Sequence, residues 1–181
     1  RGKDGKDGKE YFHAMLGVTL VAPGHDKVVP LEPEFIAPQD GAEKQDCERN
    51  AVKRWFGTHH ARLSRLRPVY LGDDLFACQP IAGMVKDNGG DFIFTCKESS
   101  QAALYGFIKG AEAFRHQEKV RKGKTTGTFR YRWFEAVPLR NGKDAMPVNW
   151  IGLENVDAKG RVKYSMAWIT NLSVTKQNIA E

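Results

Sequence analysis

Cysteine is scarce in this chain of 181 residues, with three in all, at Cys47, Cys78 and Cys96. They form no CxxC pair, which excludes a zinc knuckle, and their odd number and wide spacing exclude a disulfide framework. Reduced, buried thiols of a cytosolic protein are the expectation. Long apolar runs are missing too. None approaches the ~20 residues needed to cross a bilayer, and no stretch reads as a signal peptide. GxSxG, Walker A and GxGxxG patterns are also absent, which removes the usual signals for a serine hydrolase, a P-loop nucleotidase or a dinucleotide-binding domain. What is present is ordinary for a globular protein: 41% apolar and 28% charged residues, enough for one domain with a sizeable core or a domain with an insertion. The net charge of +6 is a mild pull toward polyanions. The chain starts at Arg1 rather than Met and is read as a piece of a longer one.

Residues 1–10 are Gly-rich with alternating charge and predict a loop or linker. The nearly all-apolar run 11–22 predicts a buried strand. A turn at 23–26 leads to a second strand over 27–31, so the two form an antiparallel hairpin. Asp40 and Glu43 have capping-box spacing. Cys47, Ala51, Trp55, His59, Leu63 and Leu66 then recur every three or four residues, the pattern of an amphipathic helix ended by Pro68. Next come a strand over 69–71, a short helix opened by Pro80 and closed by Gly89-Gly90, a strand over 91–96, and a helix capped by Ser99 or Ser100. Strands alternating with helices place 11–114 in the α/β class. Residues 115–128 are basic and Gly/Thr-rich and read as a connecting stretch. Strands over 129–139, 147–154 and 161–172 then predict a three-stranded meander, making 115–172 a β-rich insertion. Ser173 or Thr175 caps a helix that begins within 173–181.

Two features carry chemistry. The first is the adjacent pair Asp73-Asp74 after Val69-Tyr70-Leu71-Gly72. A strand ending in Asp holds a hard cation such as Mg²⁺ or Mn²⁺ well, because its oxygens are fixed by the strand. Asp at a strand end is equally a turn or helix-cap residue, and spacing alone leaves both readings open. The second is a basic run of Arg115, Lys119, Arg121, Lys122, Lys124, Arg130 and Arg132, interleaved with Phe129, Tyr131 and Trp133. On a β-ribbon such residues track phosphates and stack on bases; otherwise they are a solvated loop and an ordinary strand. His59 falls on the apolar stripe of its helix and reads as a core or boundary residue, as does the strand residue His13.

Four blocks, HAMLGVTLVAPGHDKVVPLEPEFI, PQDGAEKQDCERNAVKRW, PVYLGDDLFACQPI and AWITNLSVTKQNIAE, resemble bacterial insertion-sequence transposases of the DDE type, in the same order, from about Tyr11 onward. The resemblance implies a ribonuclease H-like mixed sheet flanked by helices, with the antiparallel meander inserted. It implies metal-dependent phosphoryl transfer, the cleavage and joining of DNA at insertion-sequence ends, by three carboxylates that bind Mg²⁺ or Mn²⁺. Of these, the second maps onto this chain. It is Asp73, because the family favours an aromatic three residues later and Phe76 fits; Asp74 is the alternative. Asp26, Asp40, Asp91 and Glu181 match no catalytic position.

The other two carboxylates, on the first strand and the last helix of the fold, are expected outside this chain. The reading is therefore an internal fragment, inactive by itself, with an incomplete sheet and a gap between the 11–22 and 69–71 strands. The implied partners are transposon-end and target DNA and a second copy in a synaptic complex, in the bacterial cytoplasm at the nucleoid and away from membranes. The alternatives are a non-enzymatic basic nucleic-acid-binding module or decayed remnant, and a nuclease of the same fold.

Overall fold

A computed structural model describes residues 2–3, 10–11, 13–37, 46–122 and 125–180. The chain divides into two compact units, Arg1–Arg65 and Leu66–Glu181.

In the first unit, β1 (Gly2–Lys3) pairs with β2 (Glu10–Tyr11), where the sequence predicts a loop. An antiparallel ribbon follows. β3 (Ala14–Leu16) pairs with β6 (Glu34–Ile36), and β4 (Thr19–Leu20) with β5 (Val29–Pro30). The expected hairpin is therefore present, with a turn at Pro23-Gly24. Its burial is not as expected. Alternate side chains face outward, and Met15, Val21 and Phe35 are more than half exposed. A run read as buried on both faces is covered on one, because β3 and β6 lie against one helix. His13 is likewise exposed rather than packed.

That helix is α1 (Glu48–Leu63), which buries Ala51, Trp55 and Phe56. Its N-cap is Cys47; the expected capping box at Asp40 and Glu43 lies outside the described residues. A 3-10 turn at Ser64–Leu66 and Arg67 at φ 49° precede Pro68, whose ring disfavours right-handed helix at the residue before it.

The second unit is one mixed six-stranded sheet. In chain order its strands are β7 (Val69–Gly72), β8 (Asp91–Thr95), β9 (Phe114–Lys122), β10 (Thr125–Pro138), β11 (Pro147–Asp157) and β12 (Val162–Thr170). The spatial order is β7-β8-β12-β11-β10-β9, with β7 and β8 parallel and every other pair antiparallel. α2 (Gln79–Asp87) makes the β7–β8 crossover, and α3 (Ala102–Ile108) follows β8. This is a mixed α/β fold. Among the described residues β7 pairs with β8 alone.

Two expectations change here. The meander has four strands, because the basic stretch read as connecting is itself β9 and the start of β10. It is also not set apart from the α/β part, since β12 pairs with β8 through Trp168–Thr170. Short-range pattern could not show this, because the β8–β12 ladder joins residues more than seventy positions apart.

α2 ends where Gly89, at φ 75°, turns the chain into the left-handed region that side-chain-bearing residues avoid. Its Ile81, Ala82 and Val85 are buried, as are Phe92 and Phe94 on β8, Leu104 on α3, Trp150 on β11 and Ile169 on β12. On the opposite sheet face Val69 and Leu71 stay exposed, Leu71 at 65%. The ladder is locked where β12 ends. The buried Thr170 hydroxyl donates to the Phe92 carbonyl (2.6 Å), and Asn171 accepts the Phe92 N–H (2.9 Å) while donating to Asp91 (2.9 Å). The last described residues form one turn, in which Ile179 N–H donates to the Thr175 carbonyl (3.0 Å), where the sequence predicts a helix to begin. No helix among the described residues is long and apolar enough to cross a membrane.

Candidate functional site

The β7 tip is built by close approach. A side chain at Gly72 would meet Phe76 at 2.7 Å and Phe94 at 3.0 Å, so glycine lets Phe76 fold back over the strand end. Asp73 and Asp74 sit in that turn, beside the C-terminal ends of the parallel pair β7–β8, where open α/β sheets present ligand-binding groups.

The two carboxylates differ in use. Asp74 is half-buried and spends both oxygens on the segment after β8: Oδ1 accepts the Lys97 N–H (2.7 Å) and Oδ2 the Ser100 hydroxyl. Asp73 is exposed. Its Oδ1 accepts the Leu75 N–H (2.9 Å), a local Asx turn, and among the described residues Oδ2 has no partner. The expected helix cap changes as well. Gln101, not Ser99 or Ser100, is the N-cap of α3, and Ser100 serves Asp74 instead. Behind the turn, burial and then the Asp74 charge push the Cys96 thiol up to about 12. Burial likewise raises Tyr105 to about 12, and its hydroxyl donates to the Cys96 carbonyl (3.0 Å). Neither is a nucleophile near neutral pH.

Among the described residues no group of three or more His, Cys, Asp and Glu is arranged to hold a metal ion. Asp73 Oδ2 could fill at most one coordination position of a hard cation, which by itself is not a closed site. His59 is committed elsewhere. Its ring stacks on Trp55 (4.7 Å), with Nδ1 against the Trp55 carbonyl (2.8 Å) and Nε2 against Glu32 (3.0 Å).

The basic run is resolved by strand alternation. Arg115, Gln117, Lys119 and Arg121 occupy one face of β9; Arg132 and Arg130 lie opposite Arg115 and Gln117 on β10. All these side chains are exposed. The Lys122 side chain and the whole of Lys124 lie outside the described residues.

The interleaved aromatics are on the other face, which overturns the expectation that they stack on bases beside the cations. Tyr131 and Trp133 are 7% and 3% exposed; Trp133 stacks on Phe114 (5.4 Å), and the Tyr131 hydroxyl donates to Glu118 (3.0 Å). Period-two alternation sends successive residues to opposite faces, so a cation–aromatic alternation in sequence separates the two in space. The cationic face carries Phe134 on β10 and, opposite it on β11 with ring centroids 5.8 Å apart, Trp150, which Arg132 covers at 5.9 Å. A side chain at Gly152 would collide with its ring at 2.4 Å. The Trp150 indole N–H is buried and reaches no acceptor at hydrogen-bond geometry. Sequence reasoning missed Trp150; the β11 alternation, continued across Gly152 and Glu154, is the signal that would have placed it.

Asp73 and the cations are not brought together. β7 and β10 are four strand spacings apart in the sheet, on the order of 20 Å. No protein-family model matches the chain, and no curated protein is similar to it.

Proposed function

We propose that this chain is part of the catalytic region of a bacterial insertion-sequence transposase of the DDE type, with a ribonuclease H-like arrangement of its sheet. The parent protein cleaves and joins DNA at transposon ends with Mg²⁺ or Mn²⁺, acts as a homodimer in its synaptic complex, and works in the cytoplasm at the nucleoid.

The observation that carries this reading is the division of labour at the β7 tip. Asp74 is consumed by Lys97 and Ser100, whereas Asp73 is exposed with one oxygen unengaged. Asp73 is therefore the metal ligand of the pair, and Asp74 is the strut that fixes its turn. A metal held there with the two further carboxylates of the family would supply Lewis-acid activation for displacement at phosphorus. One carboxylate does not do this, so catalysis belongs to the parent protein and is not expected of this chain alone. Arg115, Lys119, Arg121, Arg130 and Arg132 form the DNA-facing surface, joined by Lys122 and Lys124 as expected from the sequence alone.

The five cations on one exposed face also favour a second reading, a basic nucleic-acid-binding module or decayed remnant without catalysis. A transposition assay of the complete protein decides between them. Asp73→Ala abolishes transposition while Asp74→Asn retains a measurable part. Transposition that survives Asp73→Ala would falsify the assignment.

A further inference from the structure

We propose that Arg115 and Arg132 clamp one backbone phosphate of a DNA strand. This rests on the reading that the chain meets DNA, and it adds where a phosphate sits and what holds it. Directly opposed residues of an antiparallel ladder share a face, and Arg115 is opposed to Arg132. Like charges so placed repel unless a counter-charge lies between them.

Among the described residues neither guanidinium has a carboxylate partner in an ion pair, although Glu98 and Glu154 border the same surface. On its other side Arg132 is opposed to Gly152, which has no side chain, and Arg115 lies on the edge strand. The neighbouring Arg130 differs, because Glu154 is opposed to it on β11.

Three surface grooves meet at Arg132, and Arg115 lines two of them. The surroundings are mixed in charge, with Glu98 or Glu154 bordering each groove, and the two guanidinium groups with Lys176 supply the positive side that an oxyanion needs. Lys176 borders one groove, and Trp150, whose ring meets Tyr105 edge-on (5.7 Å), belongs to the lining of two. The Trp150 ring under the Arg132 guanidinium restricts its orientation. A phosphodiester has two non-bridging oxygens, one for each planar fork, and lysine does not reproduce that geometry. Tyr131 and Trp133 face away, and Phe134 is packed against the buried Trp150 ring, so the contact positions the backbone and reads no bases.

The test is fluorescence anisotropy of the full chain with a labelled duplex of random sequence, across a salt series. Arg115→Ala and Arg132→Ala each weaken binding about tenfold, and the double variant is little worse than either, because both lose the same phosphate. Arg132→Lys does not restore affinity, and Lys119→Ala, outside the pair, loses less than about threefold. Arg115→Ala alters an exposed edge side chain, so a matching thermal unfolding curve keeps its result interpretable. The clamp is overturned if the single losses multiply in the double variant, if Arg132→Lys binds like the parent, if Lys119→Ala matches Arg132→Ala, or if the parent chain does not bind duplex. None of these outcomes involves Asp73. The transposition reading stands or falls on its own assay.

Discussion

In the first unit α1 buries Ala51, Trp55 and Phe56 and is also tied to its ribbon through a set of polar contacts. Arg54 donates to both oxygens of Asp46 (3.0 and 2.9 Å) and to Glu34 (2.7 Å), the Trp55 indole donates to the Glu32 carbonyl (2.8 Å), and His59 meets the Glu32 carboxylate. In the second unit α2 and α3 bury apolar side chains over Phe92, Phe94, Trp150 and Ile169. The difference teaches where each unit is vulnerable. Contacts between charged groups respond to pH and salt, whereas an apolar core responds to lost volume. It also explains why the candidate sites lie on the second unit, where a close-packed sheet fixes the strand tip and the arginine ladder from below.

The largest effect is expected in the sheet. Phe92 is fully buried, and Phe92→Ala should cost about 3–5 kcal/mol in denaturant unfolding, through lost transfer energy and a residual cavity. The same variant should leave hydrogen exchange in α1 unchanged. Equal loss of protection in α1 would mean that the two units do not have separate supports.

Next come the two carboxylates. Asp74→Ala strands the Lys97 N–H and leaves the Ser100 hydroxyl only the Lys97 carbonyl (3.1 Å), and should cost about 1–3 kcal/mol, while Asp73→Ala gives up one exposed turn bond and should cost less than about 1 kcal/mol. Urea midpoints in the opposite order would remove the distinction between strut and ligand.

The ionic unit should be the pH-sensitive one. The Arg54 hydrogen bonds bring Asp46 from 3.8 to about 2, so its contribution is complete above the higher value and is lost as pH falls through about 2. Hydrogen bonding to Glu32 raises His59 above 6.5, so that contribution is present below 6.5 and is lost as pH rises through the folded-state value. Glu32 is lowered from 4.5 by the same bond and weakens the contact as pH falls. Exchange protection of the ribbon amides should therefore peak at mildly acidic pH while that of β8 stays level. A flat ribbon profile would argue against ionic attachment.

The smallest effect concerns the arginine ladder. Arg115→Glu places opposite charges across β9 and β10 and should stabilise the sheet by about 0.2–1 kcal/mol. A loss of stability would show that the opposed arginines carry no repulsion to relieve.

Much of the fold was legible in the sequence wherever a signal is local. The stripe from Cys47 to Leu63 marks α1, Gly89 stops α2, and the apolar run into Asp73 gives β7 and its tip. The run 115–122 was not legible as a strand, because its outward positions are charged and its inward ones include His116 and Glu118, so apolar alternation is weak there. The candidate site was legible as a pair of carboxylates and a basic run, but not as a working arrangement. The partners that separate Asp74 from Asp73 lie 23 and 26 residues away.

The sequence by itself determined the periodic elements, the positive charge and the places where carboxylates and arginines cluster, because helix stripes, turn residues and charge are properties of neighbours along the chain. Tertiary structure alone decided that the meander joins β8 in one sheet, that Tyr131 and Trp133 turn away from the cations, and that Asp73 keeps an oxygen free while Asp74 does not. Each of these depends on which distant backbone closes a ladder or a hydrogen bond, and no local pattern encodes that choice.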